Sequence, residues 1–144
     1  MILIVDTNRI IAGLMKDSIT REILLNTNFE FYIPEYLLLE IEKHKELILK
    51  KSGLSESRFQ LIFDLLKENI NVVPMSEITD HLDEAEEIIG DIDPNDIPFI
   101  ALALAIQNDG IWTEDKDFRK QSRIKIWSTA DQIKIINSKK HLIP

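Results

Sequence analysis

Cysteine is absent from the 144 residues, which removes disulfides, zinc–thiolate sites and thiol catalysis from consideration. Glycine (4) and proline (5) are scarce, so neither a flexible linker nor a disordered segment stands out. Basic residues are outnumbered, with 17 Lys and Arg against 25 Asp and Glu and a formal charge of −8. That balance argues against a domain that grips nucleic acid through a broad basic surface. It leaves room for a nucleic-acid enzyme, because four clustered carboxylates offset by divalent ions would account for half of the excess. Long apolar runs are missing too. The longest, Pro98 to Ile106, is far short of the roughly 20 residues that span a bilayer. The N-terminal M-I-L-I-V-D lacks the basic segment and long apolar region of a signal peptide. Together with the missing thiols, this leads to the expectation of a soluble, cytoplasmic protein with no membrane association. Aromatics are few, and no aromatic-interleaved RNA-binding motif is present; Trp112 and Trp127 fall in strand-like runs and read as core.

What remains is enough for one core. Hydrophobic residues make up 44%, and the length fits one domain, here residues 1–137 with a short tail at 138–144. Ile2 to Val5 is a continuous apolar, β-branched run of the kind buried on both faces of a parallel sheet. Helices are expected from Asn8 to Met15 and, capped by Ser18, to about Asn26. A strand follows over Phe29 to Ile33. Pro34 then opens one long amphipathic helix to Lys51, stopped by Ser52-Gly53. Ser55 caps the next helix, and Asn71 to Pro74 reads as a strand. Thr79 to Ile89 reads as an acid-rich helix closed by Gly90. Asp93-Pro94 has the form of an N-cap and first helical residue for a helix to about Asn108. Strands at Ile111 to Thr113 and Ile124 to Trp127 follow, and Thr129 to Gln132 resembles a capping box for a last helix. Strands alternating with helices predict an α/β domain: a central, mostly parallel β-sheet flanked by helices in three layers.

In such a sheet ligands bind beyond the carboxyl ends of the strands. Asp6 directly follows the first strand, and Asp115 follows the Ile111–Thr113 strand after one residue. Asp96 lies in the first turn of its helix, whose start points to the same edge. Glu40 lies about two turns into the long helix, with its side chain directed back toward that helix's start. Each acid alone has a plain explanation: a strand end, a dipole partner beside the Asp93 cap, one solvated glutamate, a turn acid. The convergence of three of them, Asp6, Asp96 and Asp115, on one edge does not.

The whole chain resembles a PIN domain, a nuclease fold found in RNA-processing proteins and in toxins of toxin–antitoxin pairs. Four segments carry the resemblance: the first strand ending in Asp6-Thr7-Asn8, Pro34 to Glu40, Asp96 ahead of Phe99-Ile100-Ala101-Leu102-Ala103, and Thr113-Glu114-Asp115-Lys116-Asp117-Phe118. It implies that Asp6, Glu40, Asp96 and Asp115 are catalytic, metal-binding acids, joined by Asp117. Thr7, Asn8 and Thr113 match supporting polar positions. The implied cofactor is Mg²⁺ or Mn²⁺, hard cations that prefer carboxylate and water. The implied substrate is single-stranded RNA, and the implied partners are an antitoxin and a second copy of the chain, through the apolar helices between Pro34 and Leu66.

Arg9, Lys116 and Arg119 are candidate contacts to the nucleic-acid backbone, as are Lys120, Arg123 and Lys125 and the helix lysines Lys43, Lys45, Lys50 and Lys51. His44, His81 and His141 match no catalytic pattern and are assigned to the surface. Two alternatives stand beside the ribonuclease. One is an RNA-binding or scaffold module on the same fold with little activity. The other is a phosphatase or receiver domain, disfavoured because Asp-Thr-Asn is not the Asp-x-Asp of a common phosphatase class.

Overall fold

Ile2–Val5 forms β1, and Leu3, Ile4 and Val5 are completely buried, as a strand covered by helices on both faces requires. The computed structural model describes residues 1–15 and 18–141. Around β1 stand β2 (Glu30–Pro34), β3 (Ile70–Val73), β4 (Ile111–Trp112) and β5 (Ile126–Trp127). They form one sheet in the order β3-β2-β1-β4-β5, and every neighbouring pair is parallel. The order reverses direction at β1, so β1 and β4 flank the switch point where an open parallel sheet leaves a crevice at its carboxyl edge.

The connections are helical. α1 (Thr7–Leu14) and α2 (Ser18–Leu24) join β1 to β2, and α3 (Glu35–Lys43), α4 (Lys45–Ser52) and α5 (Glu56–Glu68) join β2 to β3. α6 (Met75–Ile78), α7 (Leu82–Ala85) and α8 (Ile97–Ala105) return the chain to β4, and α9 (Thr129–His141) ends it. α1 packs against α2, α3, α4 and α5, whereas α8 packs against α6, α7, β1 and β2. Right-handed crossovers place these two groups on opposite faces, which gives the three expected layers. α8 is apolar all round, and Phe99, Ile100, Ala101, Leu102 and Ala103 are all buried, as a helix enclosed on every side must be.

Several boundaries differ from the sequence expectation, for visible reasons. The helix expected from Pro34 to Lys51 is broken at His44 (φ −101°, ψ 9°), whose N–H is shared between the carbonyls of Glu40 and Ile41. No glycine or proline marks this break. The stop at Gly53 is as read, with φ 70°. The helix expected over Thr79 to Ile89 is a rewound path: it starts at Met75, passes through a 3-10 turn at Thr79–His81, and ends in a π turn at Glu86–Gly90. α8 stops at Ala105, short of Asn108, because the Asn108 side-chain amide donates to the carbonyls of Ala103 and Ile106 at 2.8 and 2.9 Å. β5 is shorter than Ile124 to Trp127, because the Gln121 side chain bonds both the N–H and the C=O of Ile124. The last helix is capped one residue earlier than Thr129: Ser128 Oγ accepts from the Asp131 N–H, and the Asp131 carboxylate accepts from the Ser128 N–H. α9 also runs through 138–141, part of the expected tail. The remainder of that tail and the side chains of Ser18 and His141, expected as a cap and a surface group, lie outside the described residues. Among the described residues, no helix is long and apolar enough to cross a membrane.

Candidate metal centre

The pairing of β1 with β4 decides where the first two acids go. Val5 lies opposite Trp112, so the next residues, Asp6 and Thr113, meet at the carboxyl edge. The Thr113 hydroxyl donates to Asp6 Oδ2 and accepts from the Asp115 N–H at 2.9 Å. Asp6 also caps α1, its Oδ1 accepting from the Arg9 N–H at 2.9 Å. One threonine thus fixes both the acid at the end of β1 and the turn after β4.

The third acid comes from the other helical layer. Asp93 caps a 3-10 turn at Pro94–Asp96, its Oδ1 accepting from the Asn95 N–H at 3.0 Å. That turn delivers Asp96, 8% exposed, to the start of α8. In the turn after β4, Asp115 Oδ1 accepts from the Asp117 N–H at 3.0 Å, and Asp117 pairs with Lys120 at 2.9 Å. Asp93, Asp96, Asp115 and Asp117 each offer an oxygen, and these oxygens all lie within 4.8 Å of one another.

A cavity of about 400 Å³ opens beside this set. Asp6, Glu40, Asp93, Asp96 and Asp115 line it, together with Thr7 and Asn8 from the first turn of α1 and Tyr36, Lys43 and His44 from α3 and its end. Glu40 accepts from the Tyr36 hydroxyl and lies 3.8 Å from His44 Nε2. All four acids singled out in the sequence therefore face one cavity, while the tight set takes two of them, Asp96 and Asp115, with Asp117 and Asp93. Asp93, which the sequence marks mainly as a cap, caps and joins the acids at once. His44 is exposed, as read, and also stands on the rim of the cavity. Tyr36 and His44 were legible as the i−4 and i+4 neighbours of Glu40, which share its helix face.

The basic candidates scatter. Lys116 and Arg119 are exposed on the 3-10 turn at Lys116–Lys120 and do not line the cavity. Arg9 sits beside Asp6 with its Nε buried and unpartnered. Arg123 pairs with Glu84 at 2.6 Å, and Lys125 lies over the Trp127 ring.

The electrostatics are those of a site short of positive charge. Burial, outweighing its hydrogen bonds to Thr113 and Arg9, pushes the Asp6 carboxyl above its ordinary value. Burial first, then the charges of Asp93, Asp115, Asp6 and Asp117, push Asp96 up to about 7. Asp96 Oδ2 is buried without a hydrogen-bond partner. Such an oxygen carries a desolvation cost that a cation would repay. An all-carboxylate set fits a hard divalent ion.

The sequence pattern of the PIN domain matches residues 4–135. The chain belongs to the PIN domain family. Its PIN fold resembles the crystal structure of VapBC2 from Rickettsia felis bound to a DNA fragment from their promoter, with a TM-score of 0.67 and 18% identity over 89% of this chain and 98% of that one. None of the curated proteins is matched by its sequence. PIN domains are generally nucleases, and in this PIN domain the acids gather at the switch point of the sheet.

Proposed function

We propose that this PIN domain is a Mg²⁺- or Mn²⁺-dependent endoribonuclease that hydrolyses phosphodiester bonds of single-stranded RNA. The observation that carries the reading is the buried, unpartnered oxygen of Asp96 within a set of four carboxylates whose oxygens all lie within 4.8 Å of one another. Asp96, Asp115, Asp93 and Asp117 would hold the ion, with Asp6 and Glu40 facing the same cavity. A divalent ion there supplies Lewis acidity toward water and toward a phosphate oxygen. The chain's own part is positional. Thr113 and the Arg9 N–H lock Asp6 in place, the Pro94–Asp96 turn holds Asp96 at the start of α8, and Tyr36 orients Glu40. The cavity walls confine the reacting phosphate beside them.

Purified protein is expected to cleave single-stranded RNA with Mg²⁺ or Mn²⁺, and Asp6→Asn is expected to stop it while leaving the circular dichroism spectrum unchanged. Cleavage that survives both EDTA and the substitution would overturn the reading. The biological setting that fits is a toxin of a toxin–antitoxin pair acting in the cytoplasm, its partner covering the acidic cavity; the likeness to the VapBC2 complex supports this. The scaffold alternative draws on the net charge of −8 and on basic side chains engaged within the chain. Calorimetric titration with Mn²⁺ separates the two, since a scaffold takes up no metal.

A further inference from the structure

The sequence marks Thr129 as the cap of the last helix, but Ser128 takes that task and leaves Thr129 to another. The Thr129 hydroxyl accepts from the Trp112 indole N–H at 3.1 Å. Its backbone N–H is a first-turn donor of α9, a position with no intrahelical acceptor, and it donates to the Glu114 carboxylate. Trp112 and Glu114 are the residues immediately before and after Thr113. Thr113 is itself buried. Its hydroxyl joins Asp6 to the Asp115 N–H, and its own N–H donates to the Trp127 carbonyl at 3.0 Å. The first turn of α9 therefore holds the threonine that organises the acids from both sides. Glu114 differs from its neighbours Asp115 and Asp117. It is exposed and joins neither the cavity lining nor the tight set; its carboxylate sits instead at the start of α9, where the helix dipole favours a negative charge.

From the two hydrogen bonds that tie Thr129 to the residues on either side of Thr113, we propose that Thr129 is a positioning residue for the metal centre, with Glu114 as its partner. It acts through Thr113 and touches neither ion nor substrate; none of the described residues of α9 lines the cavity. One bond fixes the end of β4 and the other fixes the turn after it, so the Thr113 hydroxyl meets Asp6 and the Asp115 N–H in a single geometry. Outer partners of this kind orient the groups that hold a metal. Without the Thr129 hydroxyl, the indole N–H of the fully buried Trp112 has lost its acceptor. The end of β4 then loosens, and Asp115 and Asp117 are carried on the turn that follows it. The last helix thereby becomes part of the site's framework. The inference rests on the metal reading above for its binding and activity readouts, and on the hydrogen bonds alone for the rest.

The test uses Thr129→Val, which keeps the shape and loses the hydroxyl, and Glu114→Ala, which removes the acceptor at an exposed position. Thr129→Ser and Glu114→Gln retain the bonds. In EDTA, amide exchange at Asp115 and Asp117, whose N–H groups bond to the Thr113 hydroxyl and to Asp115 Oδ1, is expected to quicken about tenfold in the first pair, the size of one hydrogen bond. Calorimetry is expected to show the Mn²⁺ Kd raised about tenfold, with kcat for RNA lowered and KM unchanged. The conservative pair is expected to stay near wild type in every readout. Ser55→Ala removes a cap from α5, outside the cavity lining; it is expected to lower stability and leave the Mn²⁺ Kd alone. A folded Thr129→Val with wild-type exchange at the two amides overturns the proposal. So does a wild-type Mn²⁺ Kd in that variant, or an equal rise in Ser55→Ala. If Thr129→Val does not fold, Glu114→Ala is judged by the same outcomes. If the wild-type protein takes up no Mn²⁺, the metal reading fails, and exchange at the two amides alone decides whether Thr129 positions the turn.

Discussion

At the scale of single residues, Asp96 couples the candidate site to stability. Its carboxyl stands at about 7 against an ordinary 3.8, so between those values the folded chain binds a proton that the unfolded chain has released. Stability from this group is fully present below pH 3.8 and is lost as pH rises through about 7. At about 1.4 kcal/mol per pKa unit, the loss is of the order of 4 kcal/mol. Asp96→Asn removes that charge for good. In EDTA at pH 8 the variant is therefore expected to be more stable than the wild type to urea, by a margin that shrinks toward zero at pH 4. A margin independent of pH would show that Asp96 ionises normally. Saturating Mn²⁺ should raise the wild type's stability at pH 8, by about 2.7 kcal/mol at a hundredfold excess over Kd, and should leave the variant behind. Asp6 was legible as the residue ending an apolar run, and Asp96 and Asp115 as acids bound for the same edge. The union of Asp93 with them was not legible, since a cap and a site acid look alike in one dimension.

The elements show which sequence signals govern structure and which are overridden. β1 follows from four apolar residues, and the α4 stop follows from a glycine that must turn left-handed. Gly110 is a sharper case. It has φ +134°, and an added Cβ would lie 2.3 Å from the Lys125 carbonyl oxygen, beside the Trp127 ring. Gly110→Ala is expected to cost about 2–3 kcal/mol, read as a fall in the urea midpoint at unchanged slope. The cost arises because β4 can no longer seat against β5. An alanine variant as stable as the wild type would mean that this turn yields easily. Three of the misread boundaries share one cause: side chains competing for backbone groups. Asn108 ends α8, Gln121 shortens β5, and Ser128 starts α9, and in each the donor or acceptor is an ordinary polar residue that no periodicity reveals. The break at His44 has no such side chain. It is a bifurcated backbone bond, invisible in the sequence.

For the whole molecule, the alternation of strands and helices was enough to give three layers and a crevice at the carboxyl edge. The strand order that puts β1 beside β4 comes only from the folded chain. Leu39 (67% exposed), Leu47, Leu61 (71%) and Leu65 on α3, α4 and α5 leave apolar surface in water, in the region where the sequence led us to expect a self-association face. A homodimer is expected in light scattering at micromolar concentration, and Leu39→Lys with Leu61→Lys is expected to yield monomer at unchanged helicity. A monomeric wild type would refute that arrangement.

The Thr113–Asp6 contact joins residues more than a hundred positions apart. On a ribosome, β1 and its aspartate emerge early and wait unmatched until β4 is made. Asp115 and Asp117 arrive later still. A chain interrupted before that point holds isolated acids and no gathered set. On the hydrolase reading, a growing polypeptide therefore gains competence only once β4 and the turn after it have been made.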